Sequence, residues 1–271
     1  EITYFPLGED KLASLFRDIE TAEHYIYLEY FIVAQGEILD RLHAVLKRKA
    51  ASGLDVRLLF DDVGSFLIDP RRFTASLRRD GIKCAVFNAF SPYITAAQNY
   101  RDHRKIAVID GKVAFTGGIN LADEYINAIE KFGHWKDASV MVCGKAAWSF
   151  TLMFLQMWQL TTGEDEDYAQ YYPWILSDCP VKAEGFVQPY ADSPMDKENV
   201  GEHVYLQVIN NAKQYLYINT PYLIIDESMM SALCLAAKSG VDIRIMTPFR
   251  WDKRTVHFMT RSYYRELIKA G

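Results

Sequence analysis

Two pairs of matching stretches constrain this chain more than any other feature. AEHYIYL at Ala22–Leu28 returns as AKQYLYI at Ala212–Ile218, and SGLDVRL at Ser52–Leu58 returns as SGVDIRI at Ser239–Ile245. Self-similarity at a separation of about 190 residues implies two halves built to one plan. In the first copy, Leu12, Leu15, Phe16 and Ile19 recur at helical spacing through Glu9–His24, and Tyr25–Ile32 is a continuous strand-prone run. Gly36–Ser52 resumes the helical period with Ile38, Leu39, Leu42, Val45 and Leu46, stops at Gly53, and gives way to a second apolar run at Val56–Phe60. A strand, a helix and a strand in that order predict a crossover unit with parallel strands. A short helix over Arg71–Asp80, closed by Gly81, and a strand over Ile82–Phe87 follow, before a loop through Pro92.

That loop leads into Asn99–Asn120, where chemistry concentrates. Ile106–Ile109 and Val113–Phe115 are apolar runs joined by Asp110-Gly111, the pattern of a β-hairpin that would join the same sheet. Alternation along a strand puts His103 and Lys105 on one face, so that an imidazole and an ammonium can meet one anionic group. Gly117 and Gly118 allow a backbone to come close to a ligand, and Asn120 can donate to oxygen. A bare His-x-Lys is common on a solvated strand edge. His-x-Lys-x4-Asp-x6-Gly-Gly-x-Asn, with six positions at fixed spacing, is far more specific.

This pattern resembles the HKD motif of the phospholipase D superfamily, with His103, Lys105, Asp110, Gly117, Gly118 and Asn120 at the matching positions. Asn99–Tyr125, Tyr190–Pro194 with Glu198–Glu202, Thr220–Tyr222, Ala236–Thr247 and Arg261–Leu267 extend the likeness to bacterial cardiolipin synthases of that superfamily over nearly the whole chain. The resemblance implies an α/β, phospholipase D-like fold: a mixed β-sheet flanked by helices, duplicated as two similar halves with the second incomplete. We read residues 1–163 as the first half with the motif, 164–184 as a linker, and 185–271 as the start of the second half. Gly81, which closes a helix in the first half, has its counterpart in the last residue, Gly271, so a second His-x-Lys is expected about 22 residues further on.

The implied activity is a phosphatidyltransferase that makes cardiolipin from two phosphatidylglycerol molecules with release of glycerol. It would run through a phosphohistidine intermediate and without metal or other cofactor. Such chemistry needs a nucleophile for phosphorus and an acid for the leaving alcohol, one histidine for each role. Which of the two histidines attacks stays open, as does the activity of one half alone, which is expected to be absent. By the resemblance His103, Lys105 and Asp110 form the catalytic set, with Asp110 ordering the motif from the hairpin turn. Asn120, Gly117 and Gly118 would surround the substrate phosphate. Asp137 joins them under two readings, as the carboxylate that fixes a histidine tautomer or as an ordinary ion pair. The implied partners are anionic phospholipid and a membrane surface, at the cytoplasmic face of the cell membrane, with anchoring helices upstream of this chain. Two rivals remain: a phospholipase, phosphodiesterase or nuclease of the same superfamily, and a non-catalytic lipid-binding fragment.

Composition narrows the rivals. A net charge of −5 argues against holding nucleic acid through the overall field, whereas Arg101, Arg104, Lys105 and Lys112 form a local positive cluster suited to a phosphate. No run of about 18 uninterrupted apolar residues occurs; the most apolar stretch, Ala146–Leu160, is broken by polar residues and predicts a core helix. Cys84, Cys143, Cys179 and Cys234 lack C-x-x-C spacing, which predicts reduced thiols rather than zinc or disulfides. The other histidines, His24, His43, His134, His203 and His257, have no ligand-like spacing. The acidic run Glu164–Asp167 reads as a solvated loop and Asp61-Asp62 as a solvated strand end. Leu121–Ala128 reads as a short helix with Asp123 and Glu124 in its own first turn.

Overall fold

The computed structural model describes residues 1–90, 96–175, 185–193 and 197–271, in two compact units, Glu1–Pro189 and Tyr190–Gly271. The first unit runs β1 (Ile2–Phe5), α1 (Gly8–Thr21), β2 (Tyr25–Tyr30), α2 (Glu37–Ala51), β3 (Asp55–Asp61), α3 (Pro70–Arg79), β4 (Lys83–Phe87), β5 (Lys105–Ile109), β6 (Val113–Gly117), β7 (Ser139–Cys143) and α4 (Ala147–Thr162). Its seven strands form one sheet in the order β1-β7-β6-β5-β2-β3-β4. The crossover strands β2, β3 and β4 are parallel, as helical connections require, and the β5–β6 hairpin joins β2 antiparallel. The sheet is therefore mixed.

Alternation along β2 sorts its side chains onto the two faces. Ile26, Leu28 and Tyr30 enter the core built with Leu12, Leu15 and Ile19 of α1 and Leu39, Leu42 and Leu46 of α2. Tyr25 and Tyr27 enter a second core with Phe154 and Trp158 of α4 and with Tyr171. Every residue of β2 is buried, which explains why it reads as an apolar run interrupted only by Glu29. The hairpin turn places both Asp110 (φ 53°) and Gly111 (φ 66°) in the left-handed region, the geometry that matches strand twist.

Three local expectations change. Leu121–Ala128 holds only a 3₁₀ turn at Asp123–Ile126, because Asp123 caps a different helix: its carboxylate accepts from the backbone N–H of Glu37 and Ile38 at the start of α2. The acidic run is a loop in which Glu164, Asp165 and Asp167 are exposed, but Glu166 is not solvated. Glu166 pairs with the buried Arg57 guanidinium and accepts from the Tyr171 hydroxyl, and Glu164 accepts from Trp158 Nε1 at 3.0 Å. A buried guanidinium needs counter-charge, and this run supplies it. Asp61 is likewise fully buried rather than solvated. Residues 176–184 of the expected linker, Cys179 among them, and the Pro92 loop at 91–95 lie outside the described residues. Cys84, Cys143 and Cys234 form no disulfide among the described residues.

The second unit runs α5 (Val200–Asn211), β8 (Tyr215–Asn219), α6 (Glu227–Lys238), β9 (Asp242–Met246) and α7 (Arg254–Ala270). Its two strands are parallel, and Ile209, Leu233, Ala236 and Val241 form its core. No helix among the described residues is long and apolar enough to cross a membrane.

Candidate active site

The end of the sheet where β2 and β3 finish and β5 begins gathers the motif. Phe31, the first residue past β2, is its hub. The His103 ring lies 4.7 Å from the Phe31 ring, and Lys105 Nζ sits 5.2 Å from the same ring centroid. Lys105 opens β5 opposite Tyr30 and is buried, with its ammonium donating to the His103 carbonyl. Burial lowers its pKa to about 8, although Asp102, Asp137 and Asp61 all favour the charged form. Asn120 is also buried, and its Oδ1 accepts from the backbone N–H of Ile32 at 2.9 Å. Anchoring the oxygen leaves the amide NH₂ as its free end.

Asp137 lies beside Gly118. A β-carbon at that glycine would sit 2.1 Å from Asp137 Oδ1, so any larger residue would push the carboxylate away. Gly117 is equally tight against the Ala138 carbonyl, which would stand 2.4 Å from an added β-carbon. Asp137 accepts from Ala138 N–H at 2.8 Å and Trp135 Nε1 at 3.3 Å. Asp110 is elsewhere, at the far end of β5. Its two oxygens accept from the backbone N–H of Glu23, His24 and Tyr25, each at 2.8 Å, and so tie the hairpin turn to the start of β2. It orders the motif and has no place at the imidazole.

Three acids that the sequence did not assign to the site brace the strand end. Asp61 accepts from Asp102 N–H at 3.0 Å, Gly64 N–H at 2.9 Å and Arg101 Nη1 at 3.4 Å. Asp102 accepts from Arg104 N–H at 3.2 Å, so the backbone on both sides of His103 is held by carboxylates. Glu29, fully buried on β2, accepts from Arg104 Nη1 at 3.5 Å. Neither Glu29 Oε2 nor Asp102 Oδ2 has a hydrogen-bond partner among the described residues, and the Asp102 carboxylate lies close enough to disfavour a charge on Glu29. Burial first, and then Asp102, hold the Glu29 pKa well above the carboxylate range, and burial raises that of Asp102. Two buried carboxyls that repel each other favour the form in which one of them is protonated. The signal was available in the sequence: an acid inside an otherwise apolar strand run is almost never fully buried unless paired. On the other face, buried Lys11 donates to the Tyr30 hydroxyl at 2.7 Å, and burial brings its pKa down to about 7.

The arrangement sets an imidazole and a partly desolvated cation against one aromatic ring, with an amide donor anchored on the next residue. That set suits attack on a phosphodiester with its oxygens held by preorganised charge. No cluster of three or more His, Cys, Asp or Glu side chains able to hold a metal ion occurs among the described residues.

Comparison with known proteins extends the picture. A family described as "Cardiolipin synthase, PLD-like domain" matches residues 15–133 and 205–271. A protein of Streptococcus mutans is 45% identical over all of this chain and 58% of its own length. A protein of Geobacillus thermodenitrificans named cardiolipin synthase is 39% identical over 97% of this chain and 52% of its own. This chain thus spans about half the length of these relatives. Among solved structures, a phosphatidylserine synthase of Haemophilus influenzae superposes with a TM-score of 0.63 at 16% identity, covering 91% of this chain and 61% of that one. At that identity the likeness concerns the fold.

Proposed function

Because this chain belongs to the phospholipase D-like family of the cardiolipin synthase type, we propose that it carries one half of a phosphatidyltransferase site that makes cardiolipin. The observation that supports this most is the convergence of His103 and Lys105 on the Phe31 ring, with Asn120 tethered to the next residue, Ile32. An imidazole nitrogen of His103 attacks the phosphorus of one phosphatidylglycerol. The bond to the headgroup oxygen breaks, and glycerol leaves with a proton from a second histidine supplied from outside this chain. A hydroxyl of a second phosphatidylglycerol then gives its proton back to that histidine and attacks the phosphohistidine, which releases cardiolipin and restores His103.

Lys105 and the Asn120 NH₂ hold the non-bridging oxygens throughout, and Asp137 stabilises the positive charge beside them. The acid layer of Asp61, Asp102 and Glu29 keeps the His103 segment in place. The reaction takes place at the cytoplasmic face of a membrane containing phosphatidylglycerol.

The full-length protein, assayed in phosphatidylglycerol vesicles, will release glycerol and cardiolipin in equal amounts. His103→Ala will lower that rate by about a thousandfold or more. Phosphatidic acid as the only lipid product would reduce the reading to a phospholipase, and an unimpaired His103→Ala would remove His103 from the chemistry.

A further inference from the structure

Immediately beyond β3, the turn Asp62–Ile68 exposes side chains that a core would normally take. Phe66 is 76% exposed and Leu67 71%, and Phe90, from the segment after β4, is 69% exposed. Between them lies a cleft lined by Val63, Phe66, Ile68, Arg71 and Phe90. Large apolar side chains grouped on one surface mark a place of contact rather than ordinary solvent exposure.

The turn that displays them is rigid. Ser65 is buried; its hydroxyl donates to the Phe31 carbonyl at 3.1 Å and accepts from Val33 N–H at 2.9 Å. Ser65 N–H donates to the Asp61 carbonyl at 3.1 Å, and Ile68 N–H to the Ser65 carbonyl at 2.9 Å. Gly64 packs so closely on Phe31 that an added β-carbon would lie 2.1 Å from the Phe31 carbonyl oxygen. Phe31 is the residue whose ring carries His103. The backbone of the turn is therefore tied to the residue that carries the imidazole.

The helix that borders this surface is basic although the chain is acidic. The net charge is −5, yet α3 contains Arg71, Arg72, Arg78 and Arg79 and no acid within its span. Arg71 lines the cleft, and the Arg72 side chain is 90% exposed. Two acids share this surface: Asp69 caps α3 and pairs with Arg72, and Asp62 accepts from Phe90 N–H at 2.6 Å, while Arg71 has no ion-pair partner among the described residues. Apolar tips beside arginines form the surface that enters the boundary of an anionic bilayer, with the apolar groups among the acyl chains and the guanidinium groups at the lipid phosphates.

We propose that the turn Val63–Ile68, with Phe90 and the start of α3, is a membrane-docking face that seats the site on an anionic phospholipid surface and brings the lipid phosphate to His103. The proposal rests on the lipid reading above and names the surface through which that substrate arrives.

The test is binding, which needs no turnover. The 271-residue chain is sedimented with vesicles of pure phosphatidylcholine or of phosphatidylcholine mixed with phosphatidylglycerol. It is expected to bind the mixed vesicles more tightly. Phe66→Ser with Leu67→Ser is expected to weaken that binding by about tenfold or more, and Arg71→Glu with Arg72→Glu to remove most of the preference for phosphatidylglycerol. All four side chains are exposed, and an unchanged melting temperature verifies the fold. Failure of the chain to bind mixed vesicles, or undiminished binding by the Phe66/Leu67 pair, overturns the proposal. So does a concentration-dependent dimer that the same pair dissolves, since the face would then belong to a second copy. If vesicles are bound through this face while the full-length protein makes no cardiolipin, the catalytic reading fails alone; transfer with no role for the face sinks only the docking proposal.

Discussion

The two units build the same polar cluster from the same letters and place it in opposite surroundings. In the first, the Tyr27 hydroxyl donates to Asp55 Oδ2 at 2.8 Å, Arg57 pairs with the same carboxylate at 2.7 Å, and the guanidinium lies 5.0 Å from the Tyr27 ring. In the second, Tyr217 donates to Asp242 Oδ2 at 2.8 Å, Arg244 pairs with Asp242 at 2.9 Å, and its guanidinium lies 5.0 Å from the Tyr217 ring. The Arg57 side chain is 6% exposed and the Arg244 side chain 71%. α4, Tyr171 and Glu166 cover the first cluster, whereas β8 alternates between exposed and half-buried residues. A parallel strand pair thus fixes the geometry of tyrosine, aspartate and arginine by itself. What the cluster contributes to stability depends on what packs over it.

The largest expected effect follows directly. Arg57 satisfies Asp55, Glu166 and Tyr171 at once in a water-poor site, so Arg57→Ala leaves Glu166 without its cation and Asp55 with Lys83 alone. Removing one member of a buried ion pair costs about 3–5 kcal/mol. Urea unfolding of the variant should show a loss in that range, and Glu166→Gln a smaller one. A loss under about 1 kcal/mol would mean that burial makes no difference to such a cluster, and the contrast between the units would collapse.

The contrast also separates what could be read in the sequence from what could not. The parallel β2–β3 and β8–β9 pairs, the helices between them and the β5–β6 hairpin follow from periodicity and turn residues, which act over a few positions. His103 and Lys105 both reach Phe31, although His103 precedes β5, so strand alternation alone did not bring them together. Hidden from local pattern were the partners that arrive from far along the chain: Glu166 on Arg57, Asp123 on the start of α2, and Asp61 on Asp102. Each is an acid that reads as surface charge until tertiary packing buries a donor against it. Glu29 and Asp102 are the extreme case, since two acids predict repulsion unless a proton is counted.

That pair sharpens the comparison next. Glu29 stands in β2 where β8 has the neutral Asn219. Its folded pKa is raised above the unfolded value, so the native state holds a proton that the unfolded chain releases. Its contribution to stability is complete below the ordinary carboxylate range and is lost as pH rises through the raised value. Glu29→Gln removes this titration and keeps the shape. Stability measured between pH 5 and pH 8 should fall less steeply in the variant, which should be the more stable protein at the upper end by about 1–2 kcal/mol. Parallel slopes would show that Glu29 is ionised in the fold.

The smallest effect belongs to Arg244. Its pairing with Asp242 raises its pKa and lowers that of Asp242, so the attraction is real, yet both groups stand in water where salt screens them. Holding a long side chain in one geometry costs entropy comparable to what the exposed pair returns. Arg244→Ala should therefore shift the melting temperature by no more than about one or two degrees, and the shift should shrink further in concentrated salt. The same substitution at Arg57 should be nearly insensitive to salt. If Arg244→Ala instead melts the protein as far down as Arg57→Ala does, Arg244 is covered in solution, and the exposed face of β8 and β9 is an interface.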